Sequence, residues 1–314
     1  MLIAFGLTII GFVLLVKSAD WLVDGSASLA KRLDISEIAI GLTVVAFGTS
    51  APELIVNIIA SFKNYDEIAF GNIIGSNIFN VLMVLGIAGL IRPIFVLRNT
   101  VLKEVPFVLA STILVFLLAN NFFGFPGHTL SRLDGFILLV AIFLFFIYVF
   151  GISKDTQNFQ VHLISLPKSI IFIVLGIIGL FVGGKLVVTN AVKIAEHLHV
   201  SEKFIALTIV ALGTSLPEMV TSIISVLKKH NNIAIGNVLG SNIFNLLLVL
   251  GISSIIHPLE FDPLLNIDFL LLILTTLILF FTLFLGKKHK IYRLEAIAFL
   301  ILYLLYLIFL FHRK

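Results

Sequence analysis

Long apolar runs separated by short polar breaks make up most of the chain. Ten of these runs are long enough to cross a membrane, because about 20 apolar residues in a helix span the hydrocarbon core. Their approximate limits are 2–30, 36–62, 68–91, 101–121, 132–151, 168–196, 201–227, 232–256, 266–286 and 292–311. The pattern predicts an all-α integral membrane protein with ten transmembrane helices.

The composition supports a membrane protein and excludes several other classes. Of the 314 residues, 60% are hydrophobic and only 12% are charged, which is too little polar surface for a soluble protein of this length. The absence of cysteine excludes disulfides and thiolate metal sites. The first apolar run lacks a basic start and a cleavage site, so we expect it to remain as the first helix. The net charge of +4 lies in loops and gives no support for a nucleic-acid partner.

The loop charges predict an orientation. The odd-numbered loops hold 13 Lys and Arg residues, whereas the even-numbered loops and the C-terminal end hold 6. Cytoplasmic loops carry the excess of basic residues. We therefore expect a multi-pass protein of the cell membrane with both termini on the extracellular or periplasmic side.

Two segments of the chain recur at one constant spacing. "GNIIGSNIFNVLMVLG" (71–86) returns as "GNVLGSNIFNLLLVLG" (236–251), and "LTVVAFGTSAPE" (42–53) returns as "LTIVALGTSLPE" (207–218). A single offset of 165 residues indicates a duplication. The predicted units are residues 1–151 and 168–314, joined by a short polar linker, 152–167. Each unit has five spans, and because five is odd the second unit enters the membrane from the opposite side. Inverted repeats of this kind are typical of secondary transporters.

Each copy of the GTSxPE motif predicts a broken helix beside a carboxylate. Pro52 and Pro217 lack an N–H and crowd the carbonyls of Gly48 and Gly213, so each helix should break there. The breaks are expected to free backbone carbonyls around 46–48 and 211–213. Glu53 follows the first break and Glu218 the second, and an ionisable residue at mid-membrane indicates a functional pathway.

The recurring Asn- and Ser-rich segment predicts the other wall of this site. Asn72, Ser76 and Asn80 are spaced by four and form one polar helix stripe. Gly71 and Gly75 are expected to admit a close neighbouring helix. The second copy of the stripe is formed by Asn237, Ser241 and Asn245.

The two halves together offer only oxygen ligands. Carboxylates, hydroxyls, amide oxygens and backbone carbonyls suit Ca²⁺ or Na⁺ and argue against zinc, copper or iron. Competition between the two ions for overlapping oxygens is the physical basis of antiport. No His lies near the motif to form a nucleophile–base pair, so an enzyme is not expected. Lys17, Asp20, Asp24 and Lys185 lie where only one half carries each charge, and we expect them to pair within the membrane or to snorkel.

These motifs resemble the alpha repeats of the cation/calcium exchanger superfamily, most closely its sodium/calcium exchangers of prokaryotic type. The resemblance covers the whole ten-span layout. It implies a core of helices two, three, seven and eight, against which helices one and six slide, and electrogenic exchange of Na⁺ for Ca²⁺. The ion-ligand roles that it implies fall on Ala46, Thr49, Ser50, Glu53, Ser76, Asn80, Ala211, Thr214, Ser215, Glu218, Ser241 and Asn245.

One position departs from the family pattern. Members commonly carry Asp where this chain has Asn245, so only Glu53 and Glu218 remain charged here. This argues against potassium dependence. The prediction is a Na⁺/Ca²⁺ antiporter that needs no cofactor and no obligatory protein partner, with the two ions as substrates and the lipid bilayer as its environment. A Ca²⁺/H⁺ antiporter is the alternative, since a membrane Glu can also carry a proton. An ion channel is a third, less favoured possibility.

Overall fold

The computed structural model describes residues 2–122, 128–152, 163–197, 213–285 and 289–312, and these are almost entirely helical. The helices are α1 (Leu2–Arg32), α2 (Glu37–Thr49), α3 (Ala51–Phe62), α4 (Asp66–Ile91), α5 (Thr100–Ala119), α6 (Arg132–Ile152), α7 (Leu166–His197), α8 (Leu216–Leu227), α9 (Asn231–Ile256), α10 (Asn266–Leu285) and α11 (Arg293–His312). The strands are β1 (Ile94–Phe95), β2 (Thr129–Leu130), β3 (Leu259–Glu260) and β4 (Lys290–Ile291).

The helices confirm the predicted spans to within a few residues. Among the described residues, eight helices are long and apolar enough to cross a membrane, and the bent pair α2–α3 forms a ninth span. Helix α8 is the second half of the predicted seventh span, and the first half, 201–212, lies outside the described residues. The all-α membrane class is confirmed.

The strands join the two halves of the chain reciprocally. β1 pairs antiparallel with β4, and β2 pairs antiparallel with β3. β1 and β3 are separated by the repeat offset, since Ile94 corresponds to Leu259 and Phe95 to Glu260. Each ladder therefore contains one strand from each repeat, so the two ladders connect the halves of the chain by backbone hydrogen bonds.

Within the described part of the chain, four of the membrane helices contain a π-helical stretch that the sequence pattern did not predict. These stretches are Gly41–Val45 in α2, Asn80–Val84 in α4, Thr100–Glu104 in α5 and Phe244–Val249 in α9. A π turn changes the direction of the side chains that follow it and often occurs at functional sites. Asn80 begins one of these stretches and Asn245 lies within another, so both residues leave the regular helical register.

The apolar core is divided into two parts. The larger part surrounds α4 and α9, which are the most deeply buried of the long helices. The smaller part lies mainly between α1 and α7, with Leu15 and Leu22 facing Leu180 and Val187. These two helices approach so closely that a Cβ on Gly176 would lie 2.8 Å from the Cβ of Leu22. The α1–α7 pair therefore packs mainly on itself, and it also contacts the helices that hold the polar motifs.

Candidate functional site

Both GTSxPE segments break the helix at the serine. Helices α2 and α3 meet at 48° around Ser50, whose backbone has φ −83° and ψ 4°. Ser215 has φ −89° and ψ 6°, and it precedes α8 in the same way. Pro52 and Pro217 lie in the first turn of the helix that follows, where a missing N–H costs no hydrogen bond. The structure therefore shows a bend at Ser50 in the first copy, and in the second copy it shows the start of α8 after Ser215.

Each break places a carboxylate at the start of a helix. Glu53 lies in the first turn of α3, and Glu218 lies in the first turn of α8. The free N–H groups and the dipole make a helix N-terminus favourable for a negative charge. Both side chains are fully buried. This stabilisation of the carboxylates by helix ends was not part of the sequence prediction, although proline just inside a helix start indicates such an end.

The carboxylates are hydrogen-bonded across the two repeats. The Ser50 hydroxyl donates to Glu218 Oε1 at 3.1 Å, and the Ser215 hydroxyl donates to Glu53 Oε1 at 3.1 Å. Each carboxylate also accepts a hydroxyl from the polar stripe of its own repeat. The Ser241 hydroxyl lies 3.3 Å from Glu218 Oε1, and the Ser76 hydroxyl lies 3.5 Å from Glu53 Oε1. Every contact therefore occurs twice, related by the sequence offset of 165.

The threonines of the motif contact the opposite repeat in the same reciprocal way. The Thr49 hydroxyl donates to Asn237 Oδ1 at 2.9 Å, and the Thr214 hydroxyl lies 3.5 Å from Asn72 Oδ1. A hydroxyl that gives its single proton to an amide oxygen keeps its lone pairs for another partner. These contacts bring the first GTSxPE motif to the second Asn- and Ser-rich segment, and the second motif to the first.

Among the described residues, four side-chain oxygens of the predicted ligands are buried without a hydrogen-bond partner. They are Glu53 Oε2, Glu218 Oε2, Asn80 Oδ1 and Asn245 Oδ1. All four side chains are fully buried, and neither carboxylate pairs with a cationic side chain among the described residues. A buried acceptor without a partner costs about 1–3 kcal/mol, and more when it is charged. Because these oxygens can only accept, a bound cation is the partner that suits them.

Most of the predicted site residues are brought together. Hydrogen bonds directly join the predicted ligands Thr49, Ser50, Glu53, Ser76, Ser215, Glu218 and Ser241 to one another. Thr214 reaches the polar stripe through Asn72, and Asn80 and Asn245 lie on the stripes of α4 and α9. Gly48 and Gly213 precede the two breaks, as predicted. The prediction for Ala211 lies outside the described residues.

The expectation of a freed carbonyl is wrong for Ala46. Its oxygen accepts the Ser50 N–H at 3.0 Å. The helix continues to Thr49 before it breaks at Ser50, so this carbonyl retains its i+4 partner. The groups that the break places in the site are instead the Ser50 hydroxyl and the Glu53 carboxylate, and both side chains are buried.

The close helix approach is present in the second repeat. A Cβ on Gly240 would lie 2.6 Å from the Cβ of Ala46 and 2.8 Å from the carbonyl oxygen of Leu42. Gly71 and Gly75 meet no described residue within 4 Å. The counterparts of Leu42 and Ala46 under the repeat offset fall at 207 and 211, outside the described residues, so the expectation for these two glycines stays a prediction.

The charges of the first helix are paired as expected, with a partner that the sequence did not indicate. Lys228 Nζ, just after α8, lies 2.5 Å from Asp20 Oδ1 and 2.6 Å from Asp24 Oδ1. Lys17 lies 3.6 Å from Asp20 on the same helix. The pairing therefore joins α1 to the end of α8. Lys185, the repeat counterpart of Asp20, is exposed.

The fold and the paired, oxygen-only site define a class of membrane transporter with inverted repeats. The chain matches the family described as sodium/calcium exchanger protein over residues 3–152 and 168–312. It is 39% identical to the inner membrane protein YrbG of Escherichia coli, over 84% of this chain and 83% of that one. It is 30% identical to the sodium/calcium exchanger MaX1 of Methanosarcina acetivorans, over 98% of both chains.

A solved structure gives the same result in three dimensions. The sodium-calcium exchanger NCX_Mj, soaked with zero Na⁺ and Ca²⁺, superposes with a TM-score of 0.83 at 33% sequence identity, covering 98% of this chain and 99% of that one. The chain belongs to the sodium/calcium exchanger family. It is a multi-pass membrane protein of the ten-helix inverted-repeat class and a cation/Ca²⁺ antiporter. It is a transporter and not an enzyme, and the ions are its cargo rather than cofactors.

Proposed function

We propose that the protein exchanges Na⁺ for Ca²⁺ by alternating access at the site between the two helix breaks. The observation that carries this proposal is the set of four buried, unpaired oxygens, two from carboxylates and two from amides. These are hard ligands of the kind that Ca²⁺ and Na⁺ prefer. The two carboxylates carry the charge that one Ca²⁺ neutralises.

The proposed ligands are arranged in two matching groups around this centre. They are Thr49, Ser50, Glu53, Ser76 and Asn80 from the first repeat, and Thr214, Ser215, Glu218, Ser241 and Asn245 from the second. The hydroxyl protons of Ser50 and Ser215 point to the opposite carboxylates, which leaves the serine lone pairs for a cation. Ala211 keeps its proposed backbone role, whereas the Ala46 carbonyl already accepts the Ser50 N–H.

Exchange follows from competition for these oxygens. Na⁺ and Ca²⁺ both need the same two carboxylates, so occupation by one ion set displaces the other. An empty site leaves two uncompensated negative charges in a region of low dielectric, which opposes closure around it. The site therefore switches between the two sides of the membrane only when it is loaded. The α1–α7 pair is the unit proposed to slide during this switch.

Transport into vesicles tests the proposal. Purified protein is reconstituted in liposomes loaded with Na⁺, and Ca²⁺ uptake is measured with pH clamped on both sides. We expect uptake that depends on the outward Na⁺ gradient and stops when an ionophore collapses it. Uptake that follows only a pH gradient would establish the Ca²⁺/H⁺ alternative, and Ca²⁺ flux without any coupled ion would indicate a channel. Glu104→Gln is the matched control, since Glu104 is a buried carboxylate that Tyr148 binds away from the breaks.

We also propose that residues 1–151 and 168–314 are the two inverted repeats, with 152–167 as the linker, in the cell membrane with both termini outside. The excess of basic residues in odd-numbered loops supports this orientation. The chain contains no cysteine, so single cysteines report topology without interference. Lys154→Cys should react with an impermeant thiol reagent only from the cytoplasmic side, and Lys63→Cys only from the outside. The reverse pattern would invert the assignment.

A further inference from the structure

Two asparagines that the ion site does not use face each other at its base. Asn77 on α4 and Asn242 on α9 are separated by the repeat offset and are fully buried. Asn77 Nδ2 donates to the backbone oxygen of Asn242 at 3.3 Å. Asn242 Nδ2 donates to the backbone oxygen of Asn77 at 3.2 Å. We call this reciprocal pair, Asn77 and Asn242, the amide clasp.

The backbone fixes which way the clasp amides point. A backbone carbonyl can only accept a hydrogen bond, so the atom facing it must be the amide nitrogen. The oxygen of each clasp amide is then turned to its other side. There Asn242 Oδ1 accepts from Asn80 Nδ2 at 3.1 Å, and Asn77 Oδ1 accepts from Asn245 Nδ2 at 3.0 Å.

The clasp in turn fixes the amides of the ion site. Because Asn242 presents an oxygen to Asn80, Asn80 must present its nitrogen, and its own oxygen faces elsewhere. The same reasoning applies to Asn245 and Asn77. The two oxygens oriented in this way, Asn80 Oδ1 and Asn245 Oδ1, are buried and have no hydrogen-bond partner among the described residues. The orientation thus derives from two backbone carbonyls and does not depend on an ion being bound.

We propose that Asn77 and Asn242 are positioning residues that hold the amide oxygens of Asn245 and Asn80 towards the cation. This inference rests on the proposed function. The relation is crosswise, since the asparagine of each repeat orients the ligand of the other repeat. It also makes a hydrogen-bond donor necessary at position 245, either an amide or a protonated acid, because an ionised carboxylate there would set two acceptors against each other. The clasp therefore favours an amide at that position and keeps the fixed negative charge on the two glutamates.

A double-mutant cycle separates positioning from simple helix packing. Asn242→Leu, Asn80→Ala and the double variant are compared by Ca²⁺ binding to the purified protein in calorimetry and by the apparent KM for Ca²⁺ in vesicles. We expect Asn242→Leu to weaken Ca²⁺ binding about tenfold, which corresponds to about 1.4 kcal/mol, the size of one lost hydrogen bond. The double variant should be no weaker than Asn80→Ala alone, because the oxygen that Asn242 orients is already gone.

The crossed pair is the internal control. Asn245 shares a helix with Asn242 but is oriented by Asn77. Asn242→Leu and Asn245→Ala should therefore act independently, so that their fold-changes in Ca²⁺ affinity multiply in the double variant. Asn77→Leu should show the mirrored pattern, coupling to Asn245 and not to Asn80. A helix-packing role would lower the unfolding temperature and leave Ca²⁺ affinity unchanged, or would couple equally to both ligands. Either result overturns the proposal.

Two further provisions keep the test decisive. If Asn242→Leu does not yield folded protein, Asn242→Ser replaces it, since serine is small and polar but too short to reach Asn80. The same crossed coupling is expected, and additive effects with Asn80→Ala would contradict the inference. Because calorimetry measures Ca²⁺ binding without a coupling ion, failure of the clasp and failure of Na⁺-driven exchange give different results.

Discussion

The centre of the protein obeys the internal two-fold relation, whereas its periphery breaks it. At the centre, Ser50 and Ser215 reach the opposite carboxylates at the same distance of 3.1 Å. At the periphery, α1 packs along α8 and Lys228 joins them by ion pairs. The equivalent helices α7 and α3 barely touch. Under the repeat offset, Lys228 corresponds to Lys63, and Asp20 corresponds to Lys185. Both counterparts are cations, so they cannot form the equivalent ion pair.

The alternating access proposed above gives a physical reason for this difference. One shared ion site needs ligands from both repeats at once, so its contacts can be matched. The two entrances to that site must not be closed in the same way at the same time, because the ion then has no exit. Contacts at the periphery are therefore expected to differ between the repeats in any single state.

The largest expected effect is removal of a central charge. Glu53→Gln and Glu218→Gln should each reduce Na⁺-driven Ca²⁺ uptake at least about 100-fold, because a neutral amide cannot balance Ca²⁺ and loses several kcal/mol of attraction in a low dielectric. Vesicle uptake measures this. The two variants should be equally inactive, and Glu104→Gln should retain transport. Near-normal uptake in either site variant would refute the assignment of the carboxylates.

A smaller, matched loss is expected from the hydroxyls that cross the repeats. Ser50→Ala and Ser215→Ala each remove one hydrogen-bond donor to a buried carboxylate. A hydrogen bond to a charged group contributes about 1.5–3 kcal/mol. The apparent KM for Ca²⁺ should therefore rise about tenfold or more in both. Ser225→Ala is the control, since Ser225 is buried but donates only to the Thr221 carbonyl of its own helix. A clear difference in apparent KM for Ca²⁺ between the two site variants would show that the two repeats do not contribute equally to binding.

The smallest effect is expected at the periphery, and there it should be unequal. Lys228→Met removes the ion pairs with Asp20 and Asp24 and leaves Asp20 only the longer pair with Lys17, whereas Lys63→Met, its repeat counterpart, removes no ion pair recorded among the described residues. These groups are partly exposed, so the loss of stability should stay at about 1 kcal/mol or less. We expect Lys228→Met alone to lower the thermal unfolding midpoint and to raise the maximal exchange rate, because α1 is no longer held to α8. Equal effects of the two variants would contradict the asymmetry.

Some inner contacts follow the two-fold relation in position but not in residue type, and so lie between the matched centre and the unmatched periphery. Asn72 Nδ2 donates to Asn57 Oδ1 at 2.7 Å, and Asn237 Nδ2 donates to Ser222 Oγ at 2.9 Å. Asn57 and Ser222 are repeat counterparts with different side chains, so the support is conserved in role but not in residue. Sequence comparison of the repeats detects the identical positions and overlooks such substitutions.

The sequence by itself determined the class, the spans and the chemistry of this protein. Hydrophobic length gives the helices because the bilayer has a fixed thickness, and the constant offset gives the inverted repeat. The prolines locate the breaks, and Glu53 and Glu218 stand out because a buried charge in lipid is costly. All of these follow from local pattern and burial cost.

Only the tertiary structure decided how the two halves meet. The pairing of Ser50 with Glu218, the amide clasp of Asn77 and Asn242, and the ion pairs of Lys228 join residues between 165 and 208 positions apart. No local pattern specifies such partners, because they depend on how the second repeat docks against the first. Ala46 is a local exception, because its carbonyl keeps the Ser50 N–H as an i+4 partner within its own helix. Sequence identifies which groups need a partner in the membrane, and packing decides which partner each one receives.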